Sequence, residues 1–565
     1  MDLSITFMVV FTILYLIGTF LGLWKIFEKA GYAGWKSIVP VYNMIVWLRV
    51  LERPMWWLIF IAIPYLSIFM FFLMVWKTIR RFGKTSYLVL IPATCFPCIY
   101  FPYLGFSRRE VFHRVSELPK LEIGLFSVRP LQGREAREEK ESRKTTAREW
   151  CDAIIYAVVA AHIIRTFMFE FYKIPTSSME SSLMVGDFLC VSKTAYGPRV
   201  PQTFLAFPFV HHTLPLSKYH KSYTDVIRLP YMRVPDRLPA ALHRNDAVVF
   251  NYPDGDTVIL QRQNESYYGV LRALERAYRH PRAHAGDSYM CEGELHTYAE
   301  LFNKYGWDNH PGKAREVLAA EYDVVYRPSD KRENYIKRCV GVPGDELRIV
   351  DGVLYVNGEK AYKPEKQQFL YQVNHNGVGL NPTVRQRLDI NEEDYHSGIS
   401  ADIGCLHDAQ VDAIRGMRNV ISVECLLDTA GYADPDIFPY DPRYPWNKDN
   451  FGPLRIPKKG ETVQLDDSTI CLYRRIIKNY EGHDLQERDG KIFIDGVEAH
   501  QYTFAQNYYW MMGDNRHNSA DSRFWGFVPE DHIAGKASFV WLSLDKFKKL
   551  GDGKIRWKRM YKKIR

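Results

Sequence analysis

No phosphate-cradling P-loop, dinucleotide glycine fingerprint or EF-hand calcium loop occurs in the 565 residues. The chain therefore has no motif for nucleotide- or calcium-dependent chemistry. Cysteine is scarce, nine in all, which excludes a disulfide-stapled miniprotein. Cys95 and Cys98 form C-x-x-C, but inside an apolar stretch with no βαβ pattern around it, so a redox role has no support. Cys190, Cys291, Cys339, Cys405, Cys425 and Cys471 come later, and their spacing leaves any pairing open. Metal-ligand spacing is missing too. His211-His212 has no carboxylate or cysteine at ligand distance, which favours surface imidazoles, and neither metal nor cofactor is expected.

An excess of one charge is also absent from most of the chain. Of 74 Lys+Arg and 65 Asp+Glu, ten basic residues and one acidic residue fall between Lys546 and Arg565, leaving 64 of each sign elsewhere. A nucleic-acid-binding surface loses its main support, and no nucleic-acid partner is expected. The basic tail has two readings, contact with anionic membrane lipids or a solvated C-terminus.

Apolar residues are plentiful and uneven. Ile5–Trp24, Met55–Trp76 and Ser86–Phe106 carry no charged residue, and each has about the ~20 residues a membrane-spanning helix requires. Ile5–Trp24 lacks the short apolar core and small-residue site of a cleavable signal peptide. Pro92, Pro97 and Pro102 make the third stretch re-entrant or kinked. A fourth, Ala153–Ile164, is short, but Trp150 and Tyr172 mark plausible interfaces and its end charges can snorkel. Ser107–Glu149 holds eleven Lys/Arg with eight Glu, which places that loop in the cytoplasm and everything after Tyr172 outside. The basic loop Lys77–Thr85 disagrees with a plain four-span topology. The last outward crossing is the firmer expectation.

After Tyr172 the text changes to short β-type runs broken by Gly, Pro, Asn and Asp. Asp246–Tyr252, Glu346–Val350 with Val353–Val356, and Lys491–Ile494 with its flanks read as strands. Asp351-Gly352, Asn357-Gly358, Asp489-Gly490 and Asp495-Gly496 are tight-turn signals. The fold class expected is N-terminal transmembrane α-helices followed by a mainly antiparallel β catalytic domain with large insertions. Tyr335–Ala361 and Tyr473–Ala499 align without gaps as an internal echo. Shared turn chemistry alone accounts for it equally well. Thr203–Leu216, an apolar run, is either a segment dipping into the outer leaflet or a buried core strand.

Three segments carry chemistry. The first, Ile174–Leu183, is rich in serine just beyond the last span, and a serine hydroxyl needs a base to become a nucleophile. The second, Tyr335–Asp345, sets Lys337 in an apolar strand pattern, where burial lowers an ammonium pKa and can make a base of it. In the echo that position is Arg475, which cannot give up its proton. The third, Met511–Gly526, is a dense loop of Asn, Asp, Ser and Arg able to orient a catalytic neighbour.

Taken in this order after a membrane span, the segments resemble the bacterial type I signal peptidase (leader peptidase) family, membrane serine proteases with a Ser/Lys dyad. IPTSSM resembles the serine box, YIKRCVGVPGD the lysine box, GDNRHNSADSRFWG the third signature and HRNDAVVFNYP (His243–Pro253) the strand box. The resemblance implies Ser178 as nucleophile and Lys337 as general base. It also implies an oxyanion hole from the Ser178 N–H and the Thr176 hydroxyl, and Ser519 holding the lysine amine. Asp521 and Arg523 are implied as a structural ion pair, with Arg338 beside the lysine. Ile174, Pro175, Met179, Leu183, Tyr335 and Ile336 are implied to line apolar pockets for small side chains. The implied substrates are secretory preproteins with small residues at −1 and −3. The implied location is the bacterial cytoplasmic (inner) membrane, multi-pass, with the catalytic domain on the extracytoplasmic (periplasmic) side. The rival of another class is a catalytically idle membrane scaffold or binding protein of the export machinery.

Departures from the family pattern are Ser181-Ser182 for the commoner Pro-Thr, His517 for Asp and Asn245 for Gly. The leader, with AGYAGWKSIVPVYN (Ala30–Asn43), resembles a small multi-span module of unknown role. The expected organisation is a membrane module (1–106), a basic cytoplasmic loop (107–149) and an anchor helix (150–172). Three catalytic blocks follow (173–255, 331–361 and 501–545), separated by insertions (256–330 and 362–500) and ending in the basic tail (546–565).

Overall fold

The structure is a computed structural model that describes residues 3–564 except 40–41, 59–65, 85–86, 114–145, 204, 208, 215–216, 218, 227, 547 and 549–552. Two compact units are present, Met1–Arg165 and Thr166–Arg565. The first is helical: α1 (Leu3–Lys29), α2 (Tyr42–Val50), α3 (Leu66–Arg80), α4 (Tyr87–Cys95), α5 (Pro97–Phe106) and most of α6 (Thr146–Phe167). The third apolar stretch is broken at Phe96 between α4 and α5, with Pro97 opening α5. Gly18 and Gly22 let α1 touch α5: an added Cβ would stand 2.3 Å from Cys98 O and 2.4 Å from the Phe101 backbone. Lys29 Nζ donates to the carbonyls of Leu104, Ser107 and Glu110, each at 2.7 Å, closing the C-terminal end of α5. Of the expected spans, Met55–Trp76 and Ser86–Phe106 fall partly outside the described residues, as does most of the basic loop, whereas Ile5–Trp24 lies within α1 and Ala153–Ile164 within α6. Among the described residues no helix is long and apolar enough to cross a membrane.

The second unit is built on an antiparallel sheet. Its strands are β1 (Phe169–Lys173), β2 (Asp187–Ser192), β3 (Ala247–Asn251), β4 (Asn334–Gly341), β5 (Tyr508–Met512), β6 (Val528–Pro529), β7 (Ile533–Ser543) and β8 (Lys562–Lys563). The order is β1-β2-β7-β3-β4-β5-β6, with β8 paired to β7. Both faces of β3 are covered, which is why it is continuously apolar rather than alternating. Ala247 and Val249 pack with Leu189 and Val191, while Val248 and Phe250 pack with Met511 and Trp525.

The insertions are folded bodies. Residues 256–330 include the helices Tyr267–Arg279, Tyr298–Tyr305 and Lys313–Glu321, packed around Leu274, Phe302 and Val317. Residues 362–500 hold a four-stranded sheet of Tyr395–His396, Ala401–His407, Gln368–His375 and Val420–Cys425.

Strands expected at 346–350, 353–356 and 491–494 form with those bounds, and the 246–252 strand forms as β3. At all four turn signals both residues have positive φ, as a tight hairpin turn of the primed type requires. The echo holds for the hairpins and fails for what precedes them. Tyr335 starts in a strand, whereas Ile470–Arg475 is a helix.

The tail is not simply solvated, because β8 extends the main sheet: Phe539 pairs Lys563 and Val540 pairs Lys562. Arg559 Nη2 reaches Asp187 at 2.6 Å and Ser182 O at 3.1 Å, and Arg556 Nη1 reaches Val185 O at 2.9 Å. In 203–216 the described Leu205, Phe207 and Phe209 are exposed, which rules out a buried core strand there. His211 and His212 are half-buried rather than surface imidazoles. They are engaged by Arg332 O and the Glu333 carboxylate, both at 2.7 Å. The later cysteines are free.

Candidate active site

Lys337 lies in β4 at the middle of the sheet, with Val248 opposite it on β3. Its side chain is buried and its Nζ donates to Ser178 Oγ at 2.5 Å. Burial disfavours the ammonium, Asp521 opposes that effect, and Arg523 adds to it. The net result is a pKa brought down from the ordinary 10.5 to about 8.

Ser178 sits on a loop closed at its base by Ile174 N–H to Asp187 O at 2.8 Å and Gly186 N–H to Ile174 O at 3.0 Å. Gly186 has φ +90°, and a Cβ there would stand 1.9 Å from Leu544 O, so only glycine fits. Ile174, Met179 and Leu183 plug the loop into the core, while Pro175 and Thr176 remain exposed. A cleft of about 290 Å³ runs beside Ser178, lined by Ile174, Pro175, Thr176, Met179, Tyr335, Ile336, Lys337, Asn518 and Ala520. Tyr335 is held by stacking on Tyr252 at 4.4 Å. Leu183 does not line the cleft. The turn closed by its N–H to Met179 O at 2.7 Å carries it into the core instead.

The third signature wraps this loop. Asn515 N–H donates to Ser178 O at 3.1 Å. A Cβ at Gly513 would meet Ser519 Oγ at 2.2 Å and Ser178 O at 2.6 Å, which explains a glycine in the tightest place of the site. Asp521 pairs with Arg523 Nε at 2.9 Å and Nη2 at 2.8 Å, and accepts Gly513 N–H at 3.1 Å. Burial pushes Asp521 up, but Arg523 prevails and keeps it below its usual value. Arg338 has its own partner, which the sequence did not single out: Asp514, held by two bonds of 2.8 and 2.6 Å. Ser519 Oγ is 3.5 Å from Ala520 O, and no hydrogen bond joins Ser519 to Lys337 among the described residues.

The three departures have physical counterparts. Asn245 has φ +75°, so it keeps the left-handed backbone that a glycine would supply. Ser181 has φ +66°, which no proline can adopt, and its Oγ accepts Gln368 Nε2 at 3.0 Å. His517 accepts Leu370 N–H at Nδ1 (3.1 Å), so its Nε2 is the donor to Asp449 at 2.7 Å. Gln368, Leu370 and Asp449 all belong to the second insertion. Sequence reading missed them because the Gln368 to Ser181 bond alone spans 187 positions.

A family model described as signal peptidase, peptidase S26, matches residues 147–268, 301–397 and 455–542, together more than half of the chain. The chain belongs to this family. Signal peptidase I of Haemophilus influenzae is 23% identical over 439 residues, covering 77% of this chain and 82% of that protein. Signal peptidase I of Buchnera aphidicola subsp. Schizaphis graminum is 53% identical over 55 residues, 10% of this chain and 18% of that protein. The enzyme of the same name from Helicobacter pylori is 30% identical over 121 residues, 20% of this chain and 41% of that protein. Residues 35–113 match a family of unknown function. Within this S26 family member the unmatched stretches 269–300 and 398–454 fall inside the two insertions.

Proposed function

We propose that the chain is a membrane-bound serine endopeptidase that removes N-terminal signal peptides from exported preproteins, with Ser178 as nucleophile and Lys337 as general base. The observation that carries this reading is the 2.5 Å contact between Lys337 Nζ and Ser178 Oγ at the end of a cleft, with the lysine pKa lowered toward neutrality.

The neutral amine takes the Ser178 hydroxyl proton as Oγ bonds to the scissile carbonyl carbon. The oxygen that becomes negative is held by the Ser178 N–H and the exposed Thr176 hydroxyl; losing one such donor costs on the order of 10²–10³ in rate. As the C–N bond breaks, the Lys337 ammonium returns its proton to the leaving amine. Water, deprotonated by the same lysine, then splits the acyl ester. Arg338 with Asp514, and Asp521 with Arg523, keep the surrounding loop in place.

The cleft walls of Ile174, Pro175, Met179, Tyr335 and Ile336 suit small side chains at −1 and −3. The uncharged stretches of the first unit, with the close approach at Gly18 and Gly22, support a multi-pass anchor in the bacterial cytoplasmic membrane. The exposed Leu205, Phe207 and Phe209 support contact between the periplasmic domain and lipid.

Purified protein in detergent is expected to cleave a preprotein carrying alanine at −3 and −1, and Ser178→Ala is expected to leave it intact. Equal processing by both proteins, or by neither when both are folded, would sink the assignment.

A further inference from the structure

One carboxylate from the second insertion reaches the serine loop. Asp394 ends a short turn, Glu392–Asp394, and is 9% exposed. Its Oδ1 accepts Ser177 Oγ at 2.9 Å and Asn518 Nδ2 at 2.7 Å. Its Oδ2 accepts Asn515 Nδ2 and Asn391 Nδ2, both at 3.3 Å. Asn518 Nδ2 also donates to Ser177 Oγ at 3.0 Å, closing a small ring.

The donors are placed around Ser178. Ser177 precedes it directly, Asn515 N–H holds its carbonyl, and Asn515 Nδ2 holds the carbonyl of Ser177 at 3.2 Å. Asn518 lines the cleft. Four uncharged donors surround the carboxylate, and none of these four bonds comes from a lysine or arginine. Hydrogen bonds to an ionised acceptor are roughly twice as strong as neutral ones, and each constrains the angle of its donor. The arrangement therefore restrains direction, where an ion pair would chiefly fix charge. Ser181 and His517, where the chain departs from the family pattern, are likewise gripped by the same insertion.

We propose that Asp394 is a positioning residue that ties Ser177 to Asn518 and thereby sets Ser178 against Lys337, so that the second insertion completes the active site. The inference rests on the reading of Ser178 as nucleophile. A misplacement of about 1 Å costs on the order of 10²-fold in rate. Asp394→Ala is accordingly expected to lower kcat by about 10- to 100-fold, with KM within about twofold. Asp394→Asn keeps one acceptor oxygen for Ser177 and Asn518 and should recover most of the loss, which a role in folding alone would not predict.

The test uses the full chain in detergent on the preprotein with alanine at −3 and −1, with thermal unfolding followed alongside. Ser177→Ala should slow turnover less than Asp394→Ala, and the double variant should be no slower than Asp394→Ala alone, because both changes break one link. Wild-type kinetics for Asp394→Ala, or losses that multiply in the double variant, would overturn the proposal. If Asp394→Ala does not fold, Asp394→Ser with Ser177→Ala decides: non-multiplying losses support the link and multiplying ones overturn it. A wild type that processes nothing, or a Ser178→Ala variant that still processes, removes the underlying function and this inference with it. An active wild type with an equally active Asp394→Ala removes only the inference.

Discussion

Tyr335–Ala361 and Tyr473–Ala499 share a spacing, two hairpin turns and a cation at the third position, yet they treat that cation oppositely. Lys337 enters from the middle of a sheet and its amine meets a hydroxyl. Arg475 sits on the helix Ile470–Arg475, paired with Asp254 at 2.9 Å, bonded to Tyr480 and laid over the Tyr268 ring at 4.2 Å. Lys337 is buried and Arg475 half-buried, but burial lowers the lysine to about 8, whereas Asp254, Tyr480 and Asp256 outweigh desolvation and raise the arginine. Carboxylates in direct contact decide whether a buried cation keeps its proton. The turn residues dictate the hairpins; the partner elements dictate everything before them.

The sharpest way to break this comparison is to make the first segment carry the cation of the second. Lys337→Arg keeps the charge and cannot release a proton. Turnover should fall by about 10⁴ or more, as for removal of a catalytic group. Single-turnover cleavage assays measure this, and near-normal activity would show that the amine is not the base.

Next in size is the pH response. On the proposed reading the proton acceptor is the neutral Lys337 amine, whose folded pKa of about 8 lies below the ordinary 10.5. Its active fraction is roughly a tenth at pH 7 and half at pH 8. The value of kcat/KM should thus rise about tenfold per unit below that point and level above it. The stability sign agrees: between about 8 and 10.5 the unfolded chain binds more protons than the folded one, so Lys337 favours folding increasingly as pH rises through that window. A profile flat from pH 6 to 9 would contradict the assignment.

In the second segment the corresponding change should act on stability alone. Arg475→Ala strands Asp254 and is expected to cost about 3 kcal/mol in denaturant unfolding, while the midpoint of the pH–rate profile stays put. The smallest effects are in the turns. Gly490 has open space where a Cβ would go, so Gly490→Ala should cost about 1 kcal/mol from its positive φ. Gly352→Ala should cost more, because its Cβ would stand 2.9 Å from the Phe369 ring of the second insertion. Equal costs would mean that the insertion yields there freely.

Legibility in the sequence followed the length scale of each interaction. The hairpins depend on short motifs and could be read, whereas the Asp521–Arg523 pair and the meeting of Ser178 with Lys337, 159 positions apart, were implied by the family resemblance alone. Leu183 could not be placed, because a single turn of backbone decides whether it faces cleft or core. Asp514 stood in plain view in the third signature, but nothing local ties it to Arg338. Gln368, Asp394 and Asp449 bond across long separations that no period or motif encodes. The helix at Ile470–Arg475 was hidden by a strand-like echo whose conformation is set by the aspartates and tyrosines around Arg475.

Arg556 and Arg559 brace the carbonyls of Val185 and Ser182 from 371 and 377 positions further along the chain. During synthesis the loop bearing Ser178 thus emerges long before its brace. At about 5–20 residues per second the interval is roughly 20 to 75 seconds. Throughout it the loop bearing Ser178 lacks the two arginine contacts to its backbone, which form only after Arg556 and Arg559 have been made.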